Sequence, residues 1–248
     1  MEWGFFTIQH IITIILTFAF TIAMYFILRR LKDNTADKIL FILSFFGYAG
    51  IIGNLIIGAT ETSVLYKLPL HLCSWNAILL PFAVKTKDSK LCTTLSVWSI
   101  GALIAIVLND EAVGYTIMGP KFLIYYVPHV IEFAIPLLLV ALNKFNIRIR
   151  DILYAILITM IVYTVAYGFS ELICSYGYPV NYLFTMGPTN FITEYFYNIL
   201  PYKYFYMFTT FPIIILLYLA IFLANKIICK NMGRADGYWD TVDRTSFW

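Results

Sequence analysis

Two short stretches hold side chains that lipid does not favour. In "LPLHLCSWNAILLPFAV", which ends at Val84, His71, Cys73 and Asn76 interrupt an apolar run. In "YYVPHVIEFAIPLLL", His129 and Glu132 do the same. A thiol beside an imidazole is the nucleophile–base pair of thiol acyl chemistry. The imidazole takes the proton and the thiolate attacks an ester carbonyl. Cys73 would be the nucleophile and His129 the base. Such a pair needs a third polar group to orient the base, for which Glu132 or Asn76 is available. It also needs a donor for the developing oxyanion. His71 fits, as does the Asn76 amide if Glu132 orients the base.

The elements that position these groups must be membrane helices. The chain has 248 residues, 61% apolar and only 12% charged, against roughly 25% charged in a soluble domain. Mean hydropathy is +0.80. That much apolar surface needs lipid as its solvent. Net charge is only +3, and where the charges sit matters more than their sum; no nucleic-acid partner is expected. Seven stretches reach the span length of about 20 residues. They lie at roughly 6–28, 39–59, 64–84, 91–109, 121–142, 152–174 and 202–225. The expected fold is an all-α polytopic bundle of seven transmembrane helices forming one domain over residues 1–248, with a polar tail from about 230 to 248.

Charge fixes the expected orientation. Of the 17 Lys and Arg, all but Lys67, Lys121 and Lys203 fall between spans one and two, three and four, five and six, or after span seven. Positive charge gathers on the cytoplasmic side. The C-terminus is therefore expected in the cytoplasm and the N-terminus outside, which requires an odd number of spans. "MEWGFFTIQHII" has no basic region and no cleavage signal, so it reads as the start of the first span.

Depth then ties the two stretches together. Spans three and five both enter from outside, near Val64 and Lys121. At about 1.5 Å per residue, Cys73 and His129 fall at nearly the same level in the outer half of the bilayer. Asn76 follows Cys73 by three residues and Glu132 follows His129 by three, so each pair shares a helix face. His71 and Cys73 are two apart and diverge on a regular helix, unless Pro69 and Pro81 distort it. Ionisable groups at such depth mark function.

Two other chemistries use the same residues. His71, Cys73, His129 and Glu132 are plausible zinc ligands, although HxC on a regular helix does not converge on one ion and no HExxH occurs. Intramembrane polar groups also line transport paths, but Asp110, Glu111, Glu61, Glu171 and Glu194 sit at span ends and only Glu132 is deep. His10 is expected at the interface. Cys92 and Cys229 are expected to be inert, and Cys174 has only Cys73 on its side of the membrane. The aromatic connection from about Ser175 to Pro201 reads as an interfacial or re-entrant lid.

These stretches, with "NYLFTMGPT" in the outer loop, resemble the YwaF-type family of bacterial integral membrane proteins, related to animal transmembrane protein 164, a phospholipid acyltransferase. The resemblance runs over essentially the whole chain in span number and motif order. It implies a seven-helix bacterial cytoplasmic-membrane enzyme with Cys73, His129 and His71 as its catalytic residues. Asn181 and Tyr182 match the outer Asn-Tyr motif and are expected to bind substrate. The expectation is a transacylase moving a fatty acyl chain between phospholipid and lysophospholipid through a thioester, with no cofactor or metal. The alternatives are a thiol- or zinc-dependent lipid hydrolase and a non-enzymatic transporter or receptor.

Overall fold

A computed structural model describes residues 4, 6–108 and 114–231. Asp110, Glu111, Arg234, Arg244 and the expected polar tail beyond residue 231 lie outside the described residues. The protein is an all-α, multi-pass membrane helix bundle. Its helices are α1 (Ile8–Leu28), α2 (Asp33–Ser44), α3 (Phe46–Glu61), α4 (Leu72–Thr86), α5 (Ser89–Leu108), α6 (Pro120–Ala141), α7 (Ile149–Ser175), α8 (Phe191–Ile199) and α9 (Phe211–Asn231). Among the described residues, six helical stretches are long and apolar enough to cross a membrane, with α2 and α3 forming one of them.

The third of the seven expected spans is the one that differs. Proline at 69 pushes the preceding residue out of helical backbone, and Leu68 is extended with φ −59° and ψ 143°. His71 is extended too, with φ −83° and ψ 155°. Helix α4 therefore starts only at Leu72 and has 15 residues. At 1.5 Å per residue it is about 22 Å long, short of the roughly 30 Å hydrocarbon core. A 3-10 turn, Val64–Lys67, precedes it. Irregular backbone at membrane depth is tolerated where protein buries it. The α4 start is packed in this way, between the α7–α8 connection and α6.

Charged residues of three connections meet at one end of the bundle. Lys87 and Lys144 both pair with Asp37, Lys144 at 3.1 Å, and Lys144 reaches Asp33 at 2.8 Å. Asp151 accepts from Ser89 Oγ at 2.5 Å and from the Arg148 N–H at 2.9 Å. Asn225 on α9 accepts from the Ile147 N–H and donates to the Phe145 carbonyl. At the other end, Lys121 pairs with Glu61 at 2.6 Å and Lys203 approaches Glu171 at 3.7 Å. His10 stands in the first turn of α1. It is buried against α5, where its Nε2 donates to the Ile106 carbonyl at 3.0 Å while its Nδ1 accepts from the Phe6 N–H. The bond between helices gives the imidazole partners that lipid cannot.

A glycine stripe seats α3 against the two helices that matter most. Between helices in lipid there is no hydrophobic drive, so close packing of small residues supplies the attraction. A Cβ on Gly47 would lie 2.8 Å from Ala77 Cβ on α4. On Gly50 it would lie 2.6 Å from Pro128 Cγ on α6, and on Gly53 2.7 Å from Ile124 on α6. Ala77 follows Asn76 and Pro128 precedes His129. The stripe thus helps to position the stretches that carry Asn76 and His129. Gly50→Ala is expected to destabilise the fold by about 1–3 kcal/mol, the usual cost of overpacking. The measurement is thermal unfolding in detergent, with Gly101→Ala, which meets open space, as the neutral reference.

Candidate active site

Helix α4 brings its first turn against the middle of α6. One ligand-capable atom from each of Cys73, His129 and Glu132 lies within 4.8 Å of the other two. Asn76 belongs to the same contact. Its Nδ2 donates to the Glu132 backbone carbonyl at 3.2 Å, and it is completely buried. His129 and Glu132 are buried and Cys73 is half-buried. The shared face inferred from the i, i+3 spacing on each helix is therefore present in the fold.

A backbone carbonyl orients the imidazole. His129 Nδ1 lies 2.6 Å from the Tyr125 carbonyl oxygen. A carbonyl only accepts, so Nδ1 carries the proton and Nε2 keeps the lone pair, which is the tautomer a base needs. The Tyr125 ring packs on the imidazole with centroids 4.5 Å apart. Neither contact was legible in the residue types. The one signal was the spacing of four from Tyr125 to His129, which any helix contains.

Around this cluster two polar atoms stand out. Glu132 Oε2 and Asn76 Oδ1 are buried with no hydrogen-bond partner among the described residues. Buried polar atoms are nearly always satisfied, so each exception calls for a ligand, a water or a function. A further set of donors comes from the helix start itself. The first N–H groups of a helix have no partner within it, and no side chain caps α4 at His71. The thiol of Cys73 thus stands in the first turn of an uncapped helix, where backbone dipoles favour an anion.

His71 is outside the triangle. As the N-cap of α4 it turns its ring to the outer loop, where it meets Tyr182 and Phe184 edge-on at 5.8 and 6.2 Å. Asn181 uses its amide inside that loop, accepting from the Met186 N–H and donating to the Gly187 carbonyl, both at 2.8 Å. Tyr182 is buried and its hydroxyl donates to the Leu65 carbonyl. Tyr206 likewise donates to the Phe184 carbonyl. These bonds hold Leu183, Phe184 and Tyr204 at positive φ, a conformation that costs such residues of order 1–3 kcal/mol each. The loop continues into α8, whose Phe191, Tyr195 and Ile199 stand exposed four residues apart on one face. The connection thus packs against the α4 start, and α8 carries an exposed apolar face.

Burial pushes the Tyr182 hydroxyl up to about 12, so it stays a donor throughout the neutral range. Tyr182→Phe is expected to cost about 1 kcal/mol and to speed amide exchange over residues 181–187 while leaving exchange in α5 and α6 unchanged. Hydrogen-exchange mass spectrometry reads both.

Beside the α7–α8 connection, an apolar groove of about 510 Å³ runs between the Val64–Lys67 turn and α7, lined by Leu65, Leu68, Phe169, Leu172, Ile173 and Tyr178 among others. Its volume is within the roughly 300–1,000 Å³ of ligand pockets. The remaining thiols are elsewhere. Cys174 Sγ contacts the Val180 carbonyl at 3.4 Å and is not bonded to Cys73. Cys92 and Cys229 are buried, with Sγ atoms toward the Ala83 carbonyl and Asn143 Oδ1.

Compared with known families, residues 5–221 match the TMEM164 family. No curated protein and no solved structure matches the chain.

Proposed function

The chain belongs to the TMEM164 family, and from that premise we propose that it is a membrane-embedded acyltransferase that moves a fatty acyl chain between phospholipid and lysophospholipid through a thioester on Cys73. The observation that carries this reading is the triangle of Cys73, His129 and Glu132, within 4.8 Å at the start of α4. A thiol, an imidazole with Nε2 unprotonated and a helix N-terminus are the parts of thiol acyl transfer.

The steps follow from the parts. Nε2 of His129 takes the thiol proton, and the thiolate of Cys73 attacks the acyl ester carbonyl of a phospholipid. The first-turn N–H groups of α4 face the tetrahedral oxyanion. The carbon–oxygen bond breaks, the imidazolium returns its proton to the departing lysolipid oxygen, and the acyl group remains as a thioester. The hydroxyl of a second lysolipid then loses its proton to Nε2, attacks the thioester and restores the thiol. Half-burial of Cys73 limits access of water, which favours a lipid acceptor over hydrolysis. The groove beside Leu65 and Leu68 would take the acyl chain. Under the charge sorting the site faces the outer half of a bacterial cytoplasmic membrane, at ester depth, with the basic end of the bundle in the cytoplasm. His71, Asn181 and Tyr182 shape the cap over the site in this reading.

The test is intact-mass spectrometry of the protein after incubation with a phospholipid of defined chains. The expected product carries one added acyl mass that neutral hydroxylamine removes. A protein that turns over lipid yet never carries that mass would require a non-covalent route.

A further inference from the structure

We propose that the same triangle is a binding site for a thiophilic divalent cation of the Zn²⁺ class, held by Cys73 Sγ, a nitrogen of His129 and a carboxylate oxygen of Glu132. The claim concerns binding and stands apart from the acyl-transfer reading. Its regulatory consequence, stated below, rests on that reading.

Geometry is the first support. Ligand atoms held at about 2.0–2.3 Å around a tetrahedral zinc lie about 3.5 Å from one another. The three atoms here lie within 4.8 Å of one another, about an ångström more than that spacing. The donor set is the second. One sulfur, one imidazole nitrogen and a single carboxylate suit Zn²⁺, whereas Mg²⁺ and Ca²⁺ require several oxygens.

The unpartnered atoms are the third and independent support. Glu132 Oε2 is buried and lacks a partner, and so does Asn76 Oδ1, which the amide contact with the Glu132 carbonyl holds beside the cluster. A cation in the triangle satisfies the Glu132 oxygen directly. Charge agrees. A thiolate and a carboxylate sum to −2, and a divalent ion leaves a neutral assembly, the cheapest state for buried groups. Binding displaces the thiol proton to solvent. His71 is not a ligand in this assignment, because it faces Tyr182 and Phe184.

Bound metal occupies the sulfur and the nitrogen that acyl transfer requires. Zinc is therefore expected to inhibit, and its removal to activate.

The experiment uses the full-length protein in detergent, stripped with chelator and then given Zn²⁺ alone or Co²⁺ alone. After desalting, elemental analysis should find about one zinc per wild-type chain. Co²⁺ should give thiolate-to-metal absorption in the near ultraviolet. Both signals should vanish in Cys73→Ser and fall at least 10-fold in affinity in Glu132→Gln, while Cys174→Ser binds as wild type. Melting temperatures of the stripped variants identify any that fail to fold, and for such a variant Cys73→Ala supplies the comparison. No zinc on the wild type, or equal zinc on wild type and Cys73→Ser, overturns the site. The acyl adduct is measured on the stripped protein in parallel. Metal binding without an adduct sinks only the transferase, and an adduct without metal binding sinks only the metal site.

Discussion

Cys73→Ala is expected to lower acyl transfer by at least about 10³-fold, the scale of removing a covalent nucleophile. No other thiol can take its place. Cys174 is engaged with the Val180 carbonyl, and Cys92 and Cys229 are buried elsewhere. Folding should be nearly unaffected, because Cys73 is half-buried in a first helical turn and loses a single sulfur. The two readouts are the transfer rate with a labelled donor and the unfolding temperature in the same detergent. Transfer at the wild-type rate by a folded Cys73→Ala protein would end the thioester mechanism.

His129→Ala should cost about 10²–10⁴-fold, the usual contribution of a positioned general base. It removes both the proton acceptor in the first step and the proton donor to the lysolipid oxygen. The loss should appear in the rate of adduct formation as well as in turnover, because the base acts before the thioester exists. Stability should fall by about 2–4 kcal/mol, because a buried imidazole packed on Tyr125 and bonded to its carbonyl is lost. His129→Asn retains a donor for that carbonyl and provides no base, so it should recover stability without recovering rate. A variant that regains rate along with stability would make His129 a packing residue.

The comparison of His71 with His129 shows where residue types stop being informative. Both are imidazoles beside Cys73 in a list of polar membrane residues, and His71 is nearer in sequence. Only the fold separates them. His71 is extended at the start of α4 and its ring meets Tyr182 and Phe184, while the α4–α6 packing brings His129 to the thiol. Asn181 and Tyr182 show the same limit. The resemblance named them for substrate contact, and the fold adds what their polar groups hold, loop backbone and the Leu65 carbonyl. The glycine stripe Gly47, Gly50 and Gly53 was in plain view, but its meaning depends on which neighbours a Cβ would strike.

What the sequence by itself determined is what one-dimensional quantities control. Hydropathy summed over about 20 residues decides which stretches enter lipid, and the placement of Lys and Arg decided which connections share an end. The i, i+3 spacing put Asn76 with Cys73 and Glu132 with His129, because helical periodicity is local. Tertiary structure decided the rest: how much of the third stretch is helix, that the imidazole of His129 comes beside the thiol, and that the Tyr125 carbonyl holds its Nδ1. Those outcomes depend on contacts between helices, which form through small residues and backbone carbonyls whose role no single stretch of sequence carries.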